Sequence, residues 1–90
     1  MQMRYKYQIM AITSVQSRAA RALLGLTQAD LAAQSRVSQR SIASFETGEH
    51  QPIPSILSAL QRALEEAGID FIEENGGGPG VRLIKRKRKG

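Results

Sequence analysis

The chain has 90 residues and a formal net charge of +5, from 13 basic and 8 acidic side chains. Six of the 13 basic residues (Arg82, Lys85, Arg86, Lys87, Arg88 and Lys89) lie in the last nine positions, so residues 1–81 hold 7 basic and 8 acidic groups, a net of −1. This length allows one small domain; the lack of cysteine excludes disulfides, zinc-thiolate sites and a thiol nucleophile, and a single histidine, His50, excludes a His-rich metal site.

The elements follow in chain order. Residues 2–9 alternate, with Met3, Tyr5, Tyr7 and Ile9 on one side and Arg4, Lys6 and Gln8 on the other. A period of two is the mark of a half-buried strand, while a frayed terminus is the plainer reading. Met10 is an alternative translation start.

From Ser14 the period becomes helical. Val15, Ala19, Ala22, Leu23 and Leu26 repeat on one face, with Thr13 or Ser14 as cap and Gly25 as stop. Thr27-Gln28-Ala29-Asp30 opens a second helix. Thr27 is its N-cap, Asp30 is a shortened capping-box partner, and Leu31 and Ala32 are its buried pair. After the turn Ser35-Arg36-Val37, Ser38 caps a third helix that buries Ile42 and Phe45 and ends at Gly48. A loop, residues 49–54, leads to Pro54 in the first turn of a fourth helix. Leu57, Leu60, Leu64 and Ala67 line its buried side, and Gly68 stops it.

The period then returns to two. Residues 70–74 and 81–85, joined by Asn75-Gly76-Gly77-Gly78-Pro79-Gly80, read as a β-hairpin. A phosphate cradle is the sharper reading of those glycines. It is disfavoured because no helix N-terminus or P-loop lysine follows. The basic tail, residues 86–90, points to a polyanionic partner without making the folded part basic.

Two short helices joined by a three-residue turn form a helix-turn-helix. Val37, Ile42 and Phe45 fix the second helix from behind, leaving Gln39, Arg40, Ser41 and Ser44 exposed near its N-terminus. Arg can make two bonds to guanine and Gln two to adenine in the major groove. The helix N-terminus, at Ser38, offers N–H groups to phosphate.

Leu24-Gly25-Leu26-Thr27-Gln28-Ala29-Asp30-Leu31-Ala32, Val37-Ser38-Gln39-Arg40-Ser41-Ile42 and Phe45-Glu46-Thr47-Gly48-Glu49 resemble the XRE family, the lambda-repressor/Cro-like helix-turn-helix regulators. The resemblance covers residues 14–68 and is specific over 24–49. Ala67-Gly68-Ile69-Asp70-Phe71-Ile72 and the segment from Asn75 to Leu83 are similar to the C-terminus of small stand-alone members, which implies a complete protein. The implied fold is mainly α, a four-helix lambda-repressor-like DNA-binding domain with a C-terminal hairpin. The expected parts are an N-terminal extension (1–13), the helix-turn-helix domain (14–68), a dimerising hairpin (69–85) and a basic tail (86–90).

The resemblance also assigns roles. Positions matching Gln39, Arg40, Ser41 and Ser44 face the bases. The residue matching Gln28 binds phosphate and braces the first recognition residue, and the one matching Thr27 caps and touches the DNA backbone. Arg21 and Glu46 match an internal ion pair. Three departures stand out. Arg36 replaces a usual glycine, so either a non-glycine sits in the left-handed region at roughly 1 kcal/mol or the turn is built differently. The loop after the recognition helix is Glu49-His50-Gln51 rather than basic, so phosphate contact there would use backbone N–H groups, Gln51 or His50. The dimerising fifth helix of many relatives is replaced by the hairpin.

For Arg36 and Ser44, DNA contact and plain solvent exposure stay open, and His50 reads as an exposed loop residue. Glu65, Glu66, Asp70, Glu73 and Glu74 read as a solvated acidic face turned away from DNA. An isolated hairpin is marginal and its open edge invites another strand, either a partner's hairpin or residues 2–9 of either chain. The leading expectation is a cytoplasmic, sequence-specific double-stranded DNA-binding regulator. It would act as a repressor, binding an inverted-repeat operator as a homodimer without a cofactor. The runner-up is an antitoxin or adaptor whose main partner is a protein, with DNA binding secondary. No nucleophile–base pair, metal cluster or nucleotide loop supports an enzyme, and no apolar run nears the ~18 residues of a membrane span.

Overall fold

The computed structural model describes residues 11–84. The expected strand over residues 2–9, Lys85 and the tail 86–90 lie outside the described residues. Four helices, α1 (Ser14–Leu24), α2 (Gln28–Ser35), α3 (Gln39–Glu46) and α4 (Pro54–Glu66), precede two strands, β1 (Ile69–Ile72) and β2 (Gly80–Leu83). The strands form an antiparallel pair in the register Ile69↔Leu83 to Ile72↔Gly80. The described part is mainly α, a four-helix domain with a C-terminal hairpin.

Each helix start has a chemical cause. Thr13 caps α1 in a reciprocal box, with the Gln16 amide N–H donating to Thr13 Oγ1 (3.1 Å) and the Thr13 N–H donating to Gln16 Oε1 (2.9 Å). Thr27 and Asp30 form the expected shortened box at α2, at 3.0 and 2.9 Å. The Thr27 backbone N–H, and after it the Thr27 side chain, hold the Asp30 carboxyl below its ordinary range. Ser38 Oγ accepts from the Ser41 N–H at 3.1 Å and caps α3. At α4, Ile53 makes no side-chain cap bond and Pro54 occupies the first turn.

Gly25 stops α1 in the left-handed region, at φ 73°. Arg36 holds the same conformation at the end of α2, with φ 65° and ψ 24°. The departure from glycine therefore leaves the turn geometry unchanged and stores strain of roughly 1 kcal/mol.

The core is formed by Ile12, Ala20, Leu31, Val37, Ile42, Phe45, Leu57, Leu60, Ala63, Leu64 and Ile69. The expected core residues of α2, α3 and α4 are among them, with Ala32 and Ala67 half-buried. Helix α1 corrects the sequence expectation. Val15 is 59% and Leu23 46% exposed, Ala22 is exposed and Ala19 half-buried. The buried positions are Gln16, Ser17 and Ala20, extended by Ile12 before the helix. The apolar pattern misplaced the face because two core-facing residues are polar and find their partners inside the protein.

The hairpin closes the bundle, with β2 against α1 and β1 against α4. Phe71 and Val81 pack on the core. Gln16 Nε2 donates to the carbonyls of Gly80 (2.9 Å) and Ile72 (3.3 Å), tying both strands to α1. On the outer face Arg82 and Asp70 form an exposed cross-strand pair at 2.7 Å, worth about 0–1 kcal/mol. In the loop the N–H groups of Gly76 and Gly78 donate to Glu74 Oε2 at 3.0 and 3.2 Å. The loop amides that a phosphate would need are directed at the chain's own carboxylate.

Candidate nucleic-acid interface

Helices α2 and α3 and the turn between them present their N-terminal ends through exposed polar residues. Thr27, Ser38, Gln39 and Arg40 are exposed, and Gln28, Ser41 and Ser44 are half-buried at the edge of the same surface. Ser38 Oγ also donates to Ser41 Oγ at 3.0 Å, which fixes both hydroxyls in the first turn of α3. Since the Ser38 side chain is used on Ser41, the amides of Gln39 and Arg40 stay available in the first turn. Behind this surface Val37, Ile42 and Phe45 are buried and set the angle of α3.

The C-terminal end of α3 is held by Glu46, a charged residue only 1% exposed. Its carboxylate accepts from Ser17 Oγ (2.6 Å), Arg21 Nη2 (2.6 Å), Arg21 Nε (3.0 and 3.2 Å) and Gln28 Nε2 (3.1 Å). Arg21 Nη1 continues to the carbonyl of Leu26 at 3.0 Å, and Arg18 Nη1 donates to the Glu46 carbonyl. Burial alone would raise the Glu46 pKa. The bonds from Arg21, Ser17 and Gln28, with the Arg21 charge, outweigh it and hold the carboxyl below its ordinary value. The hydrogen bond to Glu46 raises the Arg21 pKa against its own partial burial.

The expected Arg21–Glu46 pair is therefore present, at 2.6 Å. The hydrogen bond of Gln28 among the described residues goes to Glu46. A carboxylate can only accept, so the amide must face it with nitrogen, leaving Oε1 and one N–H for the outside.

The other expected contacts spread further. Gln51 and His50 are exposed in the loop before α4. Arg36 is exposed in the turn two residues before the Ser38 cap, and it lines a shallow groove of about 130 Å³ with Gln34, Ser35, Ala59, Arg62, Ala63 and Glu66. Sequence reasoning missed Gln16, Ser17 and Arg18, which anchor the site and the hairpin from α1. A signal for Gln16 existed, since it stands three residues after Thr13 in capping-box spacing. Ser17 had no local signal because its partner is 29 positions away.

Among the described residues, no group of three His, Asp or Glu could hold a metal ion, and no helix is long and apolar enough to cross a membrane. No curated protein matches the chain. Residues 18–71 match the helix-turn-helix family model, from within α1 through α4 and into β1. The chain belongs to the XRE, lambda-repressor-like helix-turn-helix family of DNA-binding regulators.

Proposed function

We propose that the protein is a sequence-specific repressor that binds an inverted-repeat operator in double-stranded DNA as a homodimer. The observation that carries this reading is the exposed polar first turn of α3, held in a fixed pose by the buried Glu46 cluster. Gln39 and Arg40 read base edges in the major groove, with Ser41 and Ser44 beside them. Thr27, Gln28, Ser38 and Gln51 set the register on the phosphates through hydroxyl, amide and N–H groups. Arg36, exposed in the turn before α3, adds a further phosphate contact.

A dimer places two recognition helices in successive major grooves, roughly 34 Å apart. Occupancy of the operator then excludes polymerase. The basic tail adds salt-dependent affinity that is blind to sequence.

Selection of bound duplexes from a random pool tests the reading. The expected product is a palindromic consensus. Arg40→Ala should relax one position in each half-site and weaken binding by about 1–3 kcal/mol. An unchanged footprint and affinity in that variant would show that α3 does not read bases with this face.

A further inference from the structure

Beyond Arg40 the recognition surface is short of cations. The sequence has no Lys or Arg between Arg40 and Arg62, and the loop after α3 carries Glu49 instead. The loop backbone does not make good the deficit. The N–H groups of Thr47 and Gly48 donate to the carbonyls of Ala43 (3.1 Å) and Phe45 (3.0 Å), and those of Glu49 and His50 donate to the Ser44 carbonyl (3.0 and 3.2 Å). The Thr47 hydroxyl donates to the same carbonyl at 3.0 Å. The Glu49 and His50 amides, expected to meet phosphate, are therefore turned onto the end of α3.

Helix α1 brings two cations to that end, and they differ in what they have left. Arg21 spends Nε and Nη2 on the Glu46 carboxylate and Nη1 on the Leu26 carbonyl. Its charge is matched by the carboxylate that it holds. Arg18 is exposed and spends only Nη1, on the backbone carbonyl of Glu46. A guanidinium has five N–H groups, and the others of Arg18 meet no acceptor among the described residues. No ion pair offsets its charge there. Gln28, which opens α2, bonds the same Glu46 through its side chain. The unspent donors of Arg18 and the outward end of the Gln28 amide thus gather around one residue.

We propose that Arg18 holds a backbone phosphate of the operator at the C-terminal end of α3, in place of a basic loop. The bond to the Glu46 carbonyl steadies the guanidinium without neutralising it, because a carbonyl carries no net charge. An Arg already fixed at one nitrogen loses less freedom when its other donors take a phosphate. The contact carries no base information. It sets the register of α3 from one end, while Arg40 reads bases at the other. This role rests on the DNA-binding reading. The plainer role for Arg18 is a strut, a cation that only complements the C-terminal end of α3.

The test compares the full chain with Arg18→Met, Arg18→Gln and Arg18→Lys, on the selected operator and on an unrelated duplex. Arg18→Met keeps the apolar stem and removes the charge. Arg18→Gln removes the charge and keeps an N–H donor, and Arg18→Lys keeps the charge. Circular dichroism and the urea midpoint check that each variant is folded in the assay. The two uncharged variants should bind both duplexes about three- to tenfold more weakly, with a salt slope smaller by about 0.9 for each protomer bound. Arg18→Lys should keep the wild-type slope. Ethylation interference gives the position: one phosphate in each half-site whose ethylation weakens the wild type should no longer matter to Arg18→Met. An unchanged slope or an unchanged ethylation pattern in the uncharged variants would overturn the role. So would a loss confined to the operator, with the unrelated duplex bound as before, because a strut that only aims α3 gives that result. If Arg40→Ala relaxes base preference while the uncharged Arg18 variants keep the wild-type slope, the role of Arg18 falls and the DNA reading stands. If the wild type binds no duplex, both fall.

Discussion

On one flank of α1, Ser17, Arg18 and Arg21 reach α3 through the buried Glu46; on the other, Gln16 holds the hairpin through a single neutral amide. The first anchor is charged, enclosed and shared with Gln28 at the expected DNA surface. The second is uncharged and holds both strands of the hairpin at once. A charged anchor is worth much when whole and costs much when broken, because the remaining partner is left without compensation. A neutral amide costs less to lose and does not respond to pH. The element expected to touch DNA is thus tied down more firmly than the element expected to meet a partner.

The sharpest way to break the contrast is Glu46→Ala. It strands the Arg21 guanidinium, whose side chain is only 18% exposed, and leaves Ser17 and Gln28 without an acceptor. The expected loss is about 3 kcal/mol, a large share of the stability of a domain this size, read from the urea midpoint. Glu46→Gln keeps the shape and part of the bonding and should cost about 1–2 kcal/mol.

Gln16→Ala removes two bonds to the hairpin and half of the α1 capping box, for an expected cost of about 2 kcal/mol. Native-state hydrogen exchange gives the finer readout. Amides of β1 and β2 should lose protection while those of α2 and α3 keep theirs. Equal loss in both regions would mean that the hairpin and the helix-turn-helix unfold as one unit.

Acid should separate the anchors in the same order. The Glu46 pKa is lowered on folding, so its contribution is complete above the unfolded carboxylate value of roughly 4.3 and is lost as pH falls through the lower folded value. The exposed Asp30 acts in the same direction. Denaturation midpoints should therefore fall as pH drops below roughly 4, and less steeply in Glu46→Gln. The Gln16 latch has no titrating group and should leave that slope unchanged.

The same contrast marks what could be read from the sequence. The helix-turn-helix was legible because its signals are local: Thr27 with Asp30, Ser38 with Ser41, and the buried spacing of Ile42 and Phe45 all act within one turn of helix. The Arg21–Glu46 pair came from family resemblance rather than from spacing. Helix α1 was misread because its strongest apolar repeat, Val15, Ala19, Ala22 and Leu23, is turned outward. The burial of Gln16 and Ser17 depends on acceptors 64 and 29 positions away, which no local pattern reveals. A tertiary hydrogen bond can reverse which face of a helix looks hydrophobic.

The smallest expected effect is at Arg36, between the two regions. Its left-handed backbone, at φ 65°, is the only positive φ outside glycine among the described residues. Arg36→Gly relieves that strain but enlarges the conformational freedom of the unfolded chain, and the two terms oppose each other. Left-handed strain at a helix end is the larger, so the expected result is a net gain of up to about 1 kcal/mol, seen as a higher melting temperature. Because Arg36 can supply one phosphate contact only, operator affinity should fall less than about threefold, with a salt slope smaller by one contact at most. A variant that is more stable and yet loses sequence-independent affinity steeply would place Arg36 on the phosphates and extend the DNA surface from the ends of α2 and α3 into the turn.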